Sequence, residues 1–192
     1  MRRTLLSLAA LAAVATPALA QVVESEPNNT PAFATPLGSF TGADAVIATG
    51  FITPGDIAMD LPGDVDFYSF TIDFEAHFFA TLFGLGDPDA DGQLALLDGV
   101  SILAADDNSG LDNFPALQLT LSPGTYFLAV TGANDLGFPG GTSFPDGREP
   151  DQTPHTEDFA YKLMVGFSVV PAPSAAALLG LGGLAAARRR RR

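Results

Sequence analysis

Short apolar runs separated by turn signals fill the middle of this chain and limit the folds open to it. Runs typical of strands, rich in aromatic, β-branched or alternating residues, cover 67–72, 77–83, 94–97, 101–104, 117–121, 126–131 and 161–169. Turn signals such as Leu61-Pro62-Gly63-Asp64 and Ser122-Pro123-Gly124 separate them. No stretch keeps an apolar period of 3.6 residues over about three turns. The sequence therefore predicts an all-β fold, a single-domain antiparallel β-sandwich or a jelly-roll-like form of it.

Charge is distributed unevenly along the chain. All 22 acidic residues lie between residues 21 and 170, where Arg148 and Lys162 are the basic residues. Because binding to phosphate needs a surface of Lys and Arg, this composition excludes nucleic acid as a partner and suits cations instead. The chain has no Cys, which excludes disulfides and thiolate metal sites.

The N-terminus has the three parts of an export signal. Arg2 and Arg3 are the positive region, residues 5–14 are a short apolar run, and Ala18-Leu19-Ala20 is a small-residue cleavage site. We therefore predict a signal peptide over residues 1–20 and a single domain over residues 21–170, outside the cytoplasm. In an exported chain without disulfides, a metal ion is a candidate for stabilising the fold in their place.

The C-terminus also has three parts, over residues 171–192. Val170-Pro171-Ala172-Pro173 precedes a run of Ala, Leu and Gly (175–187), and Arg188 to Arg192 close the chain. A helix over this run is shorter than the roughly 20 residues that a stable membrane span needs, so it predicts a short transmembrane helix that acts as a transient inner-membrane anchor. The layout resembles the PEP-CTERM sorting signal, with Ala172 where that family usually has Glu. The resemblance implies an exosortase-type sorting enzyme as partner, with final localisation at the cell envelope, the outer surface or the extracellular matrix.

Four stretches of the body, in order, are similar to the bacterial pre-peptidase C-terminal (PPC) domain. They are Glu24-Ser25-Glu26-Pro27-Asn28-Asn29-Thr30, Gly63-Asp64-Val65-Asp66-Phe67-Tyr68-Ser69-Phe70, Ala105-Asp106-Asp107-Asn108-Ser109-Gly110, and Ser122-Pro123-Gly124-Thr125-Tyr126-Phe127-Leu128-Ala129-Val130. That family is a β-sandwich appended to secreted proteases and collagenases, and the resemblance covers most of residues 22–169. No peptidase domain precedes the module in this sequence.

Two of these stretches are candidates for a calcium site. Glu24, Glu26, Asn28 and Asn29 place four oxygen-bearing side chains within six residues, and Ca²⁺ takes six to eight oxygen ligands at flexible geometry. Asp64 and Asp66 could complete the set. The resemblance implies the same ligands, because calcium-binding modules of that family use these two stretches: Glu24, Glu26, Asn28, Asn29, Asp64 and Asp66. The alternative is that both stretches are ordinary turns and strand starts.

A second candidate metal loop is Asp87-Pro88-Asp89-Ala90-Asp91-Gly92, with Asp98 at the twelfth position. The spacing fits an EF-hand loop. The flanks read as strands rather than helices, and Pro88 fixes φ inside the loop, so an ordinary turn is the favoured interpretation.

We expect no enzymatic activity. His77 lies in an apolar strand, His155 lies in a polar segment, and no serine occupies a G-x-S-x-G elbow. The favoured function is a non-catalytic, calcium-stabilised exported module in adhesion or matrix assembly. The alternative is a dedicated polysaccharide- or protein-binding module that uses the Gly- and Pro-rich segment 132–158, which predicts a long surface loop. An unrecognised hydrolase is a remote third.

The export and sorting signals predict the mass of the mature protein. Because Ala18-Leu19-Ala20 fits the signal-peptidase pattern, the exported protein should begin at Gln21. Because we expect the C-terminal anchor to be transient, the mature protein should end near residues 170–173. Intact-mass analysis checks both ends. A product that keeps Met1 or the arginine cluster would contradict the corresponding signal.

Overall fold

This computed structural model describes residues 19–55, 63–86, 90–99, 101–111, 114–132 and 157–171. The regular elements of these residues are ten strands and one short 3-10 helix. The 3-10 helix is Pro31–Phe33. The strands are β1 (Ala20–Val23), β2 (Thr35–Phe40), β3 (Asp44–Ile52), β4 (Val65–Ile72), β5 (Ala76–Leu85), β6 (Gly92–Leu97), β7 (Ile102–Asp106), β8 (Ala116–Leu121), β9 (Gly124–Gly132) and β10 (Phe159–Val169).

The strands form two five-stranded sheets packed as a sandwich. The first sheet has the order β1-β3-β10-β5-β8, and the second has the order β2-β4-β9-β6-β7. Two pairings, β1 with β3 and β2 with β4, are parallel, and the other pairings are antiparallel. The prediction of an all-β sandwich is therefore confirmed, with parallel pairs at one edge of each sheet.

An aromatic cluster fills the space between the sheets. The Phe70 ring of the second sheet lies nearly parallel to the Phe78 ring of the first, with centroids 5.5 Å apart and an interplanar angle of 7°. Phe167 packs against Phe70 with centroids 5.2 Å apart. These rings come from three strands in two sheets, so their contacts join the layers through apolar burial and aromatic geometry.

The two sheets differ in how their outer faces are covered. Residues alternate sides along a strand, and in β5 Phe78 is buried while Phe79 is half exposed. In the second sheet, β6 is buried along its whole length. A separate apolar cluster lies on that sheet's outer side: Val65, Phe67, Ala95, Leu97, Ile102 and Ala129. The second sheet is thus buried on both faces, which matches its continuous apolar runs.

All seven strands predicted from the sequence are present as β4 to β10, and β1 to β3 were not predicted. In β2, Pro36 and Gly38 read as a turn, but the register shifts between them in a bulge, where Gly38 has a φ of 123°. The predicted signal peptide (apart from its last two residues), the loop residues 133–156 and the C-terminal segment 172–192 lie outside the described residues. Within the part of the chain that the structure describes, no helix is long and apolar enough to cross a membrane.

The aromatic cluster gives a test of the core. Phe70→Ala removes a ring that contacts Phe78, Phe167 and Tyr126, and we expect it to lower the free energy of unfolding by about 3–5 kcal/mol. The exposed Phe33 is the control, and Phe33→Ala should cost well under about 1 kcal/mol. Urea denaturation measures both. Equal losses would contradict the placement of Phe70 at the centre of the core.

Candidate metal centre

Three carboxylates from two sheets meet at one end of the sandwich. Glu24 directly follows β1 of the first sheet, and Asp66 is the second residue of β4 in the second sheet. Glu26 lies in the segment between β1 and the 3-10 helix. One oxygen from each of Glu24, Glu26 and Asp66 lies within 4.8 Å of the others. Of the six residues predicted as ligands, the structure brings these three together.

Asp66 faces the interior of the sandwich. It lies on the same side of β4 as Tyr68 and Phe70, and its side chain is fully buried. The Tyr161 hydroxyl donates a hydrogen bond of 2.5 Å to Asp66 Oδ2. Asp66 Oδ1 is buried without a hydrogen-bond partner. A buried oxygen of this kind costs free energy unless another group compensates it.

Glu24 is held by the backbone of the neighbouring strand and by Tyr161. Its Oε1 accepts a 2.7 Å hydrogen bond from the Phe51 backbone N–H, and its Oε2 lies 3.2 Å from the Tyr161 hydroxyl. Gly50 pairs with Tyr161 across the sheet, and a Cβ at Gly50 would collide with both the Glu24 carboxylate and the Tyr161 hydroxyl. A glycine at this position is therefore required for the two groups to meet.

Asn28 links the Glu26 segment to β4. Its backbone N–H donates to Glu26 Oε2 at 3.0 Å, and its carbonyl accepts from the Phe67 N–H at 3.0 Å. The Asn28 side chain is fully buried, and neither its oxygen nor its nitrogen has a hydrogen-bond partner. The Asn28 amide oxygen is thus buried without a hydrogen-bond partner, and amide oxygens are ordinary calcium ligands.

Asn29 and Asp64, the remaining predicted ligands, bond to each other. Asn29 Nδ2 donates to Asp64 Oδ1 at 3.0 Å, and the Thr53 hydroxyl donates to Asp64 Oδ2 at 3.3 Å. The structure therefore places Asp64 beside the three-carboxylate group without including it. Its charge still acts there, because it contributes to raising the pKa of Glu26.

Burial and like charge both raise the pKa values of Glu26, Asp64 and Asp66. Burial is the main cause that raises the pKa of Glu26 and of Asp64. Burial also raises the pKa of Asp66 to about 10, with the adjacent Glu24 carboxyl acting in the same direction and the Tyr161 hydrogen bond opposing it. Lys162, the one lysine or arginine among the described residues, lies on the outward side of β10. No basic side chain of the described residues therefore neutralises these carboxylates.

Tyr161, Tyr68 and Gly50 belong to the site but were not predicted from the sequence. The Tyr68 and Tyr161 hydroxyls lie 2.7 Å apart, and Tyr161 contacts Asp66 and Glu24. Tyr161 lies 95 positions from Asp66 and 137 from Glu24 in the chain. Only the strand register brings them together, so no local sequence signal marks them.

The second candidate loop does not form a comparable group within the described residues. Residues 87–89 lie outside them. The Asp91 N–H donates to Glu157 Oε2 at 3.2 Å, and Asp98 Oδ1 accepts from the Ser101 N–H in a turn. The flanking elements are strands, as the sequence analysis expected, and an EF-hand needs helices there.

No protein-family model and no curated protein sequence matches this chain. Among solved structures, it is similar to the pre-peptidase C-terminal domain of collagenase from Bacillus anthracis, with 17% identity, a TM-score of 0.41, and coverage of 69% of this chain and 93% of that one. It is also similar to PliG, a periplasmic inhibitor of g-type lysozyme from Aeromonas hydrophila, with 11% identity, a TM-score of 0.40, and coverage of 78% and 100%. Both are similarities of fold.

The buried Asp66 carboxyl predicts a specific dependence of stability on pH. A carboxyl whose pKa is higher in the folded state contributes stability at low pH, and this contribution is lost as the pH rises from the unfolded toward the folded pKa. With metal removed by a chelator, the parent chain should lose more stability than Asp66→Asn between about pH 5 and about pH 8. Urea titrations at several pH values measure the difference.

The exposed Asp98 is the matched control for this measurement. Asp98→Asn removes the same charge from the surface, and its profile should follow that of the parent chain. If Asp66→Asn and the parent chain had the same pH profile, Asp66 would not be buried as an ionisable group.

Proposed function

We propose that this chain is a non-catalytic, exported β-sandwich module that is stabilised by a calcium ion bound by Glu24, Glu26 and Asp66. The observation that carries the proposal is the meeting of three carboxylates around Asp66, which is fully buried and has one oxygen without a partner. Acidic groups are common on surfaces without any ion. A buried, uncompensated carboxylate is not, because its charge must be offset or its proton retained.

The donor set favours calcium over other metals. All the candidate ligands are oxygens, from three carboxylates and the Asn28 amide, and the chain has no Cys. His77, the histidine among the described residues, bonds to Thr120 on the outward side of the first sheet. Zinc prefers nitrogen and sulfur ligands, whereas calcium accepts six to eight oxygens at flexible geometry. Backbone carbonyls or water would complete the shell.

Bound calcium would stabilise the fold by joining the sheets. Glu24 belongs to the β1 side of the first sheet, and Asp66 belongs to β4 of the second. A divalent cation between them offsets the mutual repulsion of the carboxylates and the desolvation of Asp66. Because the ligands come together only in the folded chain, the ion stabilises the native state by mass action.

The sequence signals support an extracellular role for such a module. The predicted export signal and the PEP-CTERM-like segment support a location outside the cytoplasm, reached after transient anchoring in the inner membrane. Calcium sites of extracellular modules are typically weak, with Kd values of about 0.1–1 mM. The ordered PPC-like motifs and the acidic composition support adhesion or matrix assembly as the role.

Calcium should raise the melting temperature of the chelator-treated protein. At a concentration about 100 times Kd, the ion adds about 2.7 kcal/mol, which corresponds to about 5–10 °C for a domain of this size. Glu26→Gln and Asp66→Asn should each remove most of this shift. Gly50→Ala should also reduce it, because the added Cβ displaces Glu24 and Tyr161. Scanning calorimetry with and without calcium measures all four proteins.

Asp91→Asn is the control variant for calcium binding. Asp91 lies in the second acidic loop, near Glu157 and Asp107, and its replacement should leave the calcium shift intact. If Asp91→Asn alone removed the shift, the ion would bind in the second loop. If no protein responded to calcium, the module would be stable without metal and the proposal would be wrong.

A further inference from the structure

The outer face of the first sheet is an apolar surface on an acidic protein. Alternate residues of its five strands point away from the core, and those on β3, β5 and β10 include large apolar side chains: Ile47, Phe51, Phe79, Phe83, Leu85 and Met164. Phe51 is 44% exposed, Phe79 38% and Leu85 46%. Such residues are unremarkable singly but mark an interaction site when they adjoin.

The strand register makes these side chains neighbours. Phe51 and Leu85 lie in one cross-strand row on either side of Ala160. Two positions further along β10, Lys162 pairs with Phe83. The next row places Met164 beside Ile47, so the apolar residues form one continuous patch across β3, β10 and β5.

The patch is flat and lacks acidic residues. A Cβ added to Gly166 would lie 2.5 Å from the Phe79 ring, so this ring lies down over the glycine rather than standing away from the sheet. No outward position on β1, β3, β10, β5 or β8 carries Asp or Glu, although the chain has 22 acidic residues. Lys162 is the charged residue near the centre of this face.

We propose that this face is a self-association surface, through which two copies of the chain pack their first sheets against each other. An acidic polymer or anionic membrane would be repelled by the body of the protein and would meet a single lysine on the face. A second copy offers the same flat, apolar, carboxylate-free surface. Face-to-face packing keeps the acidic parts of both copies outside the contact.

The size of the face fits a stable dimer. The five strands have 4, 9, 11, 10 and 6 residues, and each residue covers about 16 Å² at a rise of about 3.3 Å and a strand spacing of about 4.8 Å. The resulting area of about 630 Å² lies at the lower end of the roughly 600–1,000 Å² that each partner buries in a standard protein interface. The contact is the same on both copies, which is the arrangement of a closed twofold dimer. The contact uses none of the Glu24, Glu26 and Asp66 carboxylates.

Sedimentation equilibrium of the full chain tests the proposal. The parent protein should sediment as a dimer at micromolar concentration. Phe79→Glu puts a carboxylate in the patch and should weaken association at least tenfold. Leu103→Glu is the matched control, because Leu103 is also 38% exposed but lies on β7 of the other sheet, and this variant should remain dimeric. Equal melting temperatures for the two variants at monomeric dilution establish that both are folded.

Salt and cross-linking identify which surfaces meet. Added NaCl screens the repulsion between the acidic bodies and should strengthen the dimer. A dimer held by ion pairs of Lys162 would instead weaken as NaCl is added. Because the chain has no Cys, Met164→Cys introduces a single thiol at the centre of the patch, and a short bis-maleimide should join two copies there. Thr125→Cys, on the opposite sheet, should stay unlinked.

Three results would overturn the proposal. The first is a parent chain that stays monomeric at about 100 μM, a concentration above the dimer Kd expected for an interface of this size. The second is a dimer that Phe79→Glu and Leu103→Glu weaken equally, which would place the contact elsewhere. The third is a monomer that binds neutral phosphatidylcholine vesicles or a neutral polysaccharide through Phe79, which would make the face a site for that partner.

Discussion

Folding removes the Asp66 carboxylate from water, and the groups around it are arranged to limit the resulting free-energy cost. The Tyr161 hydroxyl bonds to one of its oxygens, and Tyr68 bonds in turn to Tyr161. Tyr161 and Tyr68 come from opposite sheets, so this buried hydrogen-bond chain crosses the sandwich. It couples closure of the two layers to the protonation of a single side chain, because a retained proton offsets the cost of burying the charge.

The same end of the sandwich depends on residues with no charge. Gly50 contributes no chemistry, yet it makes room for the Glu24 carboxylate and the Tyr161 hydroxyl. β1 is short and largely exposed, so its attachment to β3 relies on backbone pairing and on the Glu24 carboxylate that accepts from Phe51. The first strand and the acidic group therefore stabilise each other, since neither is held by a large apolar surface.

The sequence predicted the parts of this fold that depend on local pattern. Aromatic alternation in β4 and β5, and the apolar runs of β6 and β9, follow from burial of one or both strand faces. β2 could not be predicted, because Pro36 and Gly38 have the composition of a turn and only the bulge against β4 accommodates them. Glu24, Glu26 and Asp66 were found because two acidic motifs stand out along the chain. Tyr161 and Gly50 were not, because their role arises from a register between distant strands.

The direction of the strands fixes where the acidic group lies relative to the ends of the domain. β1 runs antiparallel to β10 across β3, so Ala20, where β1 begins, and Val169, where β10 ends, lie toward the same end of the first sheet. Glu24 and Tyr161 lie toward the other end: Tyr161 precedes Val169 by eight residues of β10, about 26 Å, and Glu24 follows Ala20 by four residues. A copy tethered to a surface through the segment after Val169 would therefore hold its carboxylates toward the end of the first sheet away from the tether, where the ion concentration is that of the surrounding medium.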